Sequence, residues 1–359
     1  MSSDDDVMFD TDSDYQATYS RVRIRHGVHQ DQGRRRVMED FHIIEQQFTD
    51  LVAREIQSAS EPPVYFPLTR SSLYFGLFDG HAGAAAAEFC QQNLHRNIAR
   101  SIPVSADIGE AMIKGFELTD KEFLEIARRN NEESGSVCVS AILIGDTLHI
   151  AHTGDSRAVL CRNGKAIHLT ADHKPTCDKE MERVVQNGGT VEWNLLNGYL
   201  EVSRAIGDFD CELGLKTRGL SASPEITKVN IHADDEFVIV ACDGLWDVMD
   251  SAEAIRFARA HLARYNCVDT ASEFLVREAL RKQSDDNITV LIIGFQKRDP
   301  ATATGRFVPS DAVVDELPAC VLEYFDQEEF QLPEPTPTSS RRRPRFCAKG
   351  LAHIRNLLP

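Results

Sequence analysis

The chain has 359 residues, 42% hydrophobic and 26% charged, enough apolar material for one large buried core. Its formal net charge of −17 disfavours nucleic acid as a partner, because that binding rests on cationic neutralisation of phosphates. No apolar run reaches the roughly 18–20 residues that cross a bilayer. The start Met1-Ser2-Ser3-Asp4-Asp5-Asp6 lacks the regions of a secretory signal. Nine cysteines without a C-x-x-C pair point to reduced thiols, hence to a cytoplasmic or nuclear protein with no membrane role.

Residues 1–20 hold six aspartates and no Lys or Arg, and read as an acidic disordered arm. Asp10-x-Asp12-x-Asp14 imitates the start of a calcium loop, but Tyr15 and Arg21 stand where that loop needs Gly and Glu. From 21 to 296 strand-like and helix-like patterns alternate, as one catalytic-sized domain. The apolar runs Leu73–Phe78, Val137–Ile144, Thr147–His152, Ala158–Cys161, Phe237–Ala241 and Ile288–Phe295 predict strands. A helix is expected from Phe48, Leu51, Val52 and Ile56, within a proline-bearing segment that runs to Ser72. Ile108, Met112 and Phe116, continued by Phe123 and Ala127, predict a second. Asp178 is expected to cap a helix running to Asn187, and Thr270-x-x-Glu273 to form a capping box for one ending near Lys282. Short connections at Gly145-Asp146 and Gly154-Asp155-Ser156 favour antiparallel hairpins. The expected class is α/β of the α+β type, with largely antiparallel sheets layered against helices. Residues 297–359, with Pro-Glu-Pro-Thr-Pro at 333–337 and an arginine cluster at 341–345, read as a partly ordered tail that could dock a partner.

One pattern carries chemistry: an apolar run delivers an acidic residue into a turn. It occurs at Asp79-Gly80-His81, Gly154-Asp155-Ser156 and Asp243-Gly244, while Asp285-Asp286-Asn287 precedes a strand and Glu39-Asp40 leads into Phe41–Ile44. A lone Asp-Gly is usually a tight turn, with glycine supplying positive φ. Five acidic turns at strand ends suit another purpose. If those ends share an edge, a hard oxygen-seeking cation relieves the repulsion. The lack of a Cys/His ligand pattern argues against zinc.

The ordered runs Glu39-Asp40, Phe78-Asp79-Gly80-His81-Ala82-Gly83, Ser134-Gly135-Ser136, Gly154-Asp155-Ser156-Arg157, Asp172-His173-Lys174-Pro175, Val202-Ser203-Arg204-Ala205-Ile206-Gly207-Asp208, Ala241-Cys242-Asp243-Gly244-Leu245-Trp246-Asp247 and Asp286-Asn287-Ile288-Thr289 resemble the type 2C metal-dependent protein serine/threonine phosphatases. The resemblance spans about residues 21–296. It implies a four-layer sandwich of two antiparallel sheets flanked by antiparallel helices. It also implies hydrolysis of phosphoserine and phosphothreonine in proteins by a monomeric domain, at a binuclear Mg²⁺ or Mn²⁺ centre. By resemblance, Asp79 bridges both metals, Asp243 and Asp286 complete one, Glu39 and the Gly80 carbonyl serve the other, and Asp155 attends a weaker third. Asp40 and Asn287 would orient waters, or simply cap turns.

A metal-activated water would attack phosphorus directly, with no covalent phosphoenzyme. The resemblance also places Arg35 as the guanidinium fork for the phosphate oxygens, although Arg34 and Arg36 flank it and a solvated basic strand is the plain alternative. His81 is the expected proton donor to the leaving oxygen, against an ordinary structural imidazole. A phosphoprotein-binding scaffold without turnover and a two-metal nuclease remain as the other classes. Trp193 is expected to pack in the core or flap.

Overall fold

The computed structural model describes residues 22–58 and 72–297. The acidic arm, the prolines at 62, 63 and 67, and the tail beyond Lys297 lie outside them. In chain order the strands are β1 (Val22–Asp31), β2 (Phe41–Glu45), β3 (Ser72–His81), β4 (Gly135–Ile144), β5 (Thr147–Thr153), β6 (Arg157–Arg162), β7 (Lys165–His168), β8 (Val191–Glu192), β9 (Leu195–Leu196), β10 (Ile206–Gly207), β11 (Phe209–Asp210), β12 (Leu215–Lys216), β13 (Glu225–Asn230), β14 (Asp235–Ala241) and β15 (Ile288–Lys297). The helices are α1 (Phe48–Ser58), α2 (Ala85–Ser101), α3 (Ile108–Asn130), α4 (Asp178–Gln186), α5 (Asp243–Trp246), α6 (Ser251–Tyr265) and α7 (Val268–Arg281).

Two antiparallel sheets form the centre. One runs β1-β15-β14-β6-β7 and the other β13-β5-β4-β3-β2, with the short β10 added at the start of β4. Residues alternate across each strand, so β3 serves two cores at once. Leu73, Phe75 and Leu77 meet Val139, Leu143 and Ile150 of their own sheet and Leu160, Val238, Val240, Leu291 and Ile293 of the other. Tyr74 and Phe78 face the opposite way, into Phe48, Leu94, Ile98, Met112 and Phe116 of the helices. Each such fully buried side chain contributes about 1.5–3 kcal/mol of burial. α6 and α7 pack together, with α7 against β1 and β15 of the first sheet. Helices, sheet, sheet and helices make four layers, the expected architecture.

Several local expectations need correction. The Gly154–Ser156 connection is not a hairpin: β5 belongs to one sheet and β6 to the other, so the chain crosses between sheets there. Asp178 is the first residue of α4, not its cap; Cys177 holds that position. Thr270 lies inside α7, which starts at Val268, and its Oγ1 donates to the Cys267 carbonyl rather than capping. The side-chain caps that form are Asp107 on the Glu110 N–H and Asp250 on the Glu253 N–H, both 2.8 Å. Trp193 is 83% exposed, on the tip between β8 and β9, and not in a core.

Candidate active site

Antiparallel pairing brings the acidic turns together. β14 ends at Ala241 opposite Val290 of β15, so Asp243 leaves one strand where Asp286 enters its neighbour. Arg157 at the start of β6 also pairs with Ala241, placing Asp155 at the same edge. In the other sheet Phe41 of β2 pairs with Phe78 of β3, which sets Glu39 and Asp40 beside Asp79. Carboxylate oxygens of Asp79, Asp155 and Asp243 lie within 4.8 Å of one another, as do ligand atoms of Asp40, Asp79 and Cys242. Arg35, Asp79, Gly80, His81, Asp155, Asp243 and Asp286 line one cleft of about 530 Å³.

The two glycines of these turns do not have positive φ, contrary to the tight-turn reading. They allow close approach. A Cβ on Gly80 would lie 2.6 Å from the Glu39 carbonyl oxygen, and one on Gly244 would lie 1.9 Å from the Asn287 carbonyl oxygen. Asn287 fastens the Arg35 loop: its Oδ1 accepts from the Glu39 N–H at 2.7 Å, and its Nδ2 donates to the carbonyls of Gln32 and Val37. Asp40 is buried and accepts from Thr289 Oγ1 at 2.6 Å. Its Oδ1 has no hydrogen-bond partner among the described residues.

The electrostatics are strained. Burial, then the charges of Asp243, Asp40, Asp155 and Asp286, push the Asp79 carboxyl well above its ordinary range. Burial and Asp155 do the same to Asp243. Asp40 is pushed up to about 6, chiefly by burial. Two cations offset part of this: Lys174 pairs with Asp155, and Arg35 with Asp286 at 2.6 Å. Arg34 pairs instead with the exposed Asp285 and does not line the cleft. Burial alone would lower the His81 imidazole, but the Asp208 carboxylate, hydrogen-bonded to Nε2 at 2.8 Å, holds it above its usual value.

The donor set fits hard divalent cations. It supplies several carboxylates, main-chain carbonyls and an orphaned buried Asp40 oxygen, with too few cationic side chains to neutralise them. Cys242 is a poor thiolate ligand, since burial and the neighbouring aspartates raise its pKa well above normal. Its sulfur already donates to the Asn287 carbonyl and accepts the Thr289 N–H. A second cluster, His152, His173 and Glu225, also falls within 4.8 Å. There His173 Nδ1 accepts the Gly154 N–H, so Nε2 carries the proton and faces Glu225 at 3.3 Å. His152 Nε2 bonds the Ala171 carbonyl, and the two rings stack at 4.4 Å. Those bonds brace the loop that carries Asp155. Sequence reasoning gave no role to Lys174, Asp208, Asp247 or Tyr199, though Asp247 and Tyr199 line the cleft.

The carboxylate-lined cleft at the shared edge of a four-layer sandwich is that of a protein built to hold divalent cations. Comparison with known proteins makes this specific. The sequence profile of the family described as protein phosphatase 2C matches residues 24–288. Probable protein phosphatase 2C 57 of Oryza sativa subsp. japonica is 38% identical over 288 residues, 78% of this chain and 75% of that protein. Probable protein phosphatase 2C 22 of Arabidopsis thaliana is 38% identical over 284 residues, 77% and 70% of the two chains. A crystal structure of serine-threonine phosphatase 2C from Toxoplasma gondii shares the fold with a TM-score of 0.61 at 24% identity, over 79% of this chain and 98% of that one. The chain belongs to the protein phosphatase 2C family and is a protein serine/threonine phosphatase.

Proposed function

We propose that the cleft removes phosphate from phosphoserine and phosphothreonine in proteins at a binuclear Mg²⁺ or Mn²⁺ centre. Asp79 would touch both ions, Asp243 and Asp286 one, and Glu39 with the Gly80 carbonyl the other; Asp155 would attend a third, weaker site. The carrying observation is the convergence of Asp79, Asp155 and Asp243 within 4.8 Å, with the carboxyls of Asp79 and Asp243 held far above their normal pKa. When bound, such ions supply Lewis-acid charge and a water acidic enough to attack near neutral pH.

The chain's own residues do the rest. Arg35, at the cleft wall, presents a planar guanidinium that can take two phosphate oxygens at once. His81 donates a proton to the leaving seryl or threonyl oxygen. Asp40 and Asn287 hold the strand end and the Arg35 loop in register. The substrates are phosphoproteins of the cytoplasm or nucleus.

The test uses purified full-length chain stripped with EDTA and resupplied with Mn²⁺ or Mg²⁺. Its substrates are a phosphothreonine peptide, a phosphotyrosine peptide and DNA. Metal-restored phosphate release from the phosphothreonine peptide alone is expected. Turnover that survives metal removal, or none under any condition, would overturn the reading.

A further inference from the structure

Asp208 lies outside the cleft lining but reaches into its wall through His81. Its backbone has φ of +57°, a left-handed conformation unusual for a residue with a side chain. Two main-chain hydrogen bonds hold it there: its N–H to the Ser134 carbonyl at 3.0 Å, and the Thr217 N–H to its own carbonyl at 2.9 Å. That conformation aims the carboxylate at the ring. Its side chain is 8% exposed, Oδ1 meets His81 Nε2 at 2.8 Å, and Oδ2 has no hydrogen-bond partner among the described residues. Room for the pair comes from Gly135, where a Cβ would lie 2.1 Å from Asp208 Oδ2 and 2.3 Å from His81 Nε2.

We propose that Asp208 is the positioning residue for His81, binding the Nε2 edge of the ring so that Nδ1 is the nitrogen left to meet the leaving oxygen. This rests on the reading of His81 as proton donor. In the step so arranged, the phosphorus–oxygen bond to the seryl or threonyl side chain breaks. Its electron pair stays on that oxygen, which takes the proton from Nδ1, while a water oxygen forms the new bond to phosphorus. The imidazole ends neutral, with its remaining proton on Nε2 against Asp208. A carboxylate that fixes a ring's orientation and tautomer in this way acts through the histidine and not on the substrate.

The experiment compares an alkyl ester, phosphothreonine peptide, with an aryl ester of good leaving group, p-nitrophenyl phosphate, on Mn²⁺-loaded full-length protein. Asp208→Asn keeps the shape and tolerates the left-handed backbone. It should lower kcat on the peptide by about tenfold to a hundredfold with little change in KM, and on the aryl ester by less than about threefold. Gly135→Ala, which keeps both residues but forces a methyl against them so that the pair must move apart, should show the same selectivity. The double variant His81→Gln/Asp208→Asn should be no slower than His81→Gln alone. Independently of turnover, long-range ¹H–¹⁵N spectra of the Mg²⁺-loaded chain, taken at a pH where the ring is neutral as it is after donation, should show the His81 proton on Nε2, redistributed in Asp208→Asn. Equal losses on both esters, additive losses in the double variant, or an unchanged tautomer would make Asp208 a structural latch and overturn the inference. If His81→Gln is selective and Asp208→Asn is not, the inference alone falls. If His81→Gln shows no ester dependence, the proton-donor reading falls and the inference with it.

Discussion

Asp79 sits at the end of β3 with the charges of Asp40, Asp155, Asp243 and Asp286 all acting on it, so its loss should cost more than that of any neighbour. Asp79→Asn is expected to lower kcat on a phosphothreonine peptide by at least about 100-fold at saturating Mn²⁺, and Asp155→Asn by less. Near-normal turnover in Asp79→Asn would remove it from the bridging position. Arg35 is a fork where Lys would be a point charge, so Arg35→Lys should raise KM by about tenfold and recover little of the loss seen in Arg35→Ala. A Lys variant with normal KM would return Arg35 to the status of a solvated surface group. The acidic residues and their glycines were legible in the sequence because each borders an apolar run. The purpose of the glycines was not, since Gly80 and Gly244 are small to admit the carbonyls of Glu39 and Asn287 from distant strands. Nothing local in the sequence marks Asp208, because its partner His81 is 127 residues away.

At the scale of elements, α4 is tied to the segment after β9 through Glu180. Burial alone would raise the Glu180 carboxyl, but hydrogen bonds from Arg204, Ser203 and Arg183 outweigh it and hold it down at about 2. A carboxylate depressed in the folded state stabilises it above its unfolded value of about 4.5, and that stability is lost as pH falls toward 2. Urea melts from pH 5 to pH 3 should therefore show the wild type losing stability faster than Glu180→Gln; parallel slopes would contradict the linkage. Trp193, at 83% exposure, should be replaceable: Trp193→Ala is expected to change stability by no more than about 0.5 kcal/mol, read from denaturant midpoints. A larger loss would mean it packs after all. Elements with a clean apolar stripe or run were readable, as in β3, β4, β14 and α3. Others were not. α2 buries His95 and Asn97 within its packed face, with Asn97 donating to Thr119 and Glu122, and such residues blur a hydrophobic stripe. β13 is an edge strand with half its residues exposed, so no apolar run marks it.

For the whole molecule, β15 lies between β1 and β14 and closes the first sheet at Lys297. A chain ending there should keep turnover of p-nitrophenyl phosphate within about twofold of the full length; its loss would make the tail part of the catalytic fold. Bound cations stabilise only the folded chain, by about 2.7 kcal/mol at 100 times their Kd. Adding Mn²⁺ to the EDTA-treated protein should therefore raise Tm by roughly 5–10 °C, measured by differential scanning fluorimetry. No shift would favour a scaffold that binds without metal. The sequence by itself determined the residue chemistry: oxygen ligands and no thiolate pattern, continuous apolar strand runs, and acidic turns at the ends of those strands. These are local properties, written in the order of neighbouring side chains. Only the tertiary structure decided which turns meet, that the Asp155 loop crosses between sheets instead of closing a hairpin, and that Asp208 faces His81. Each depends on antiparallel registers between strands far apart in the chain, such as β14 with β6 and β15. Those registers are set by the packing of two cores on opposite faces of the same strands, and no single segment encodes them.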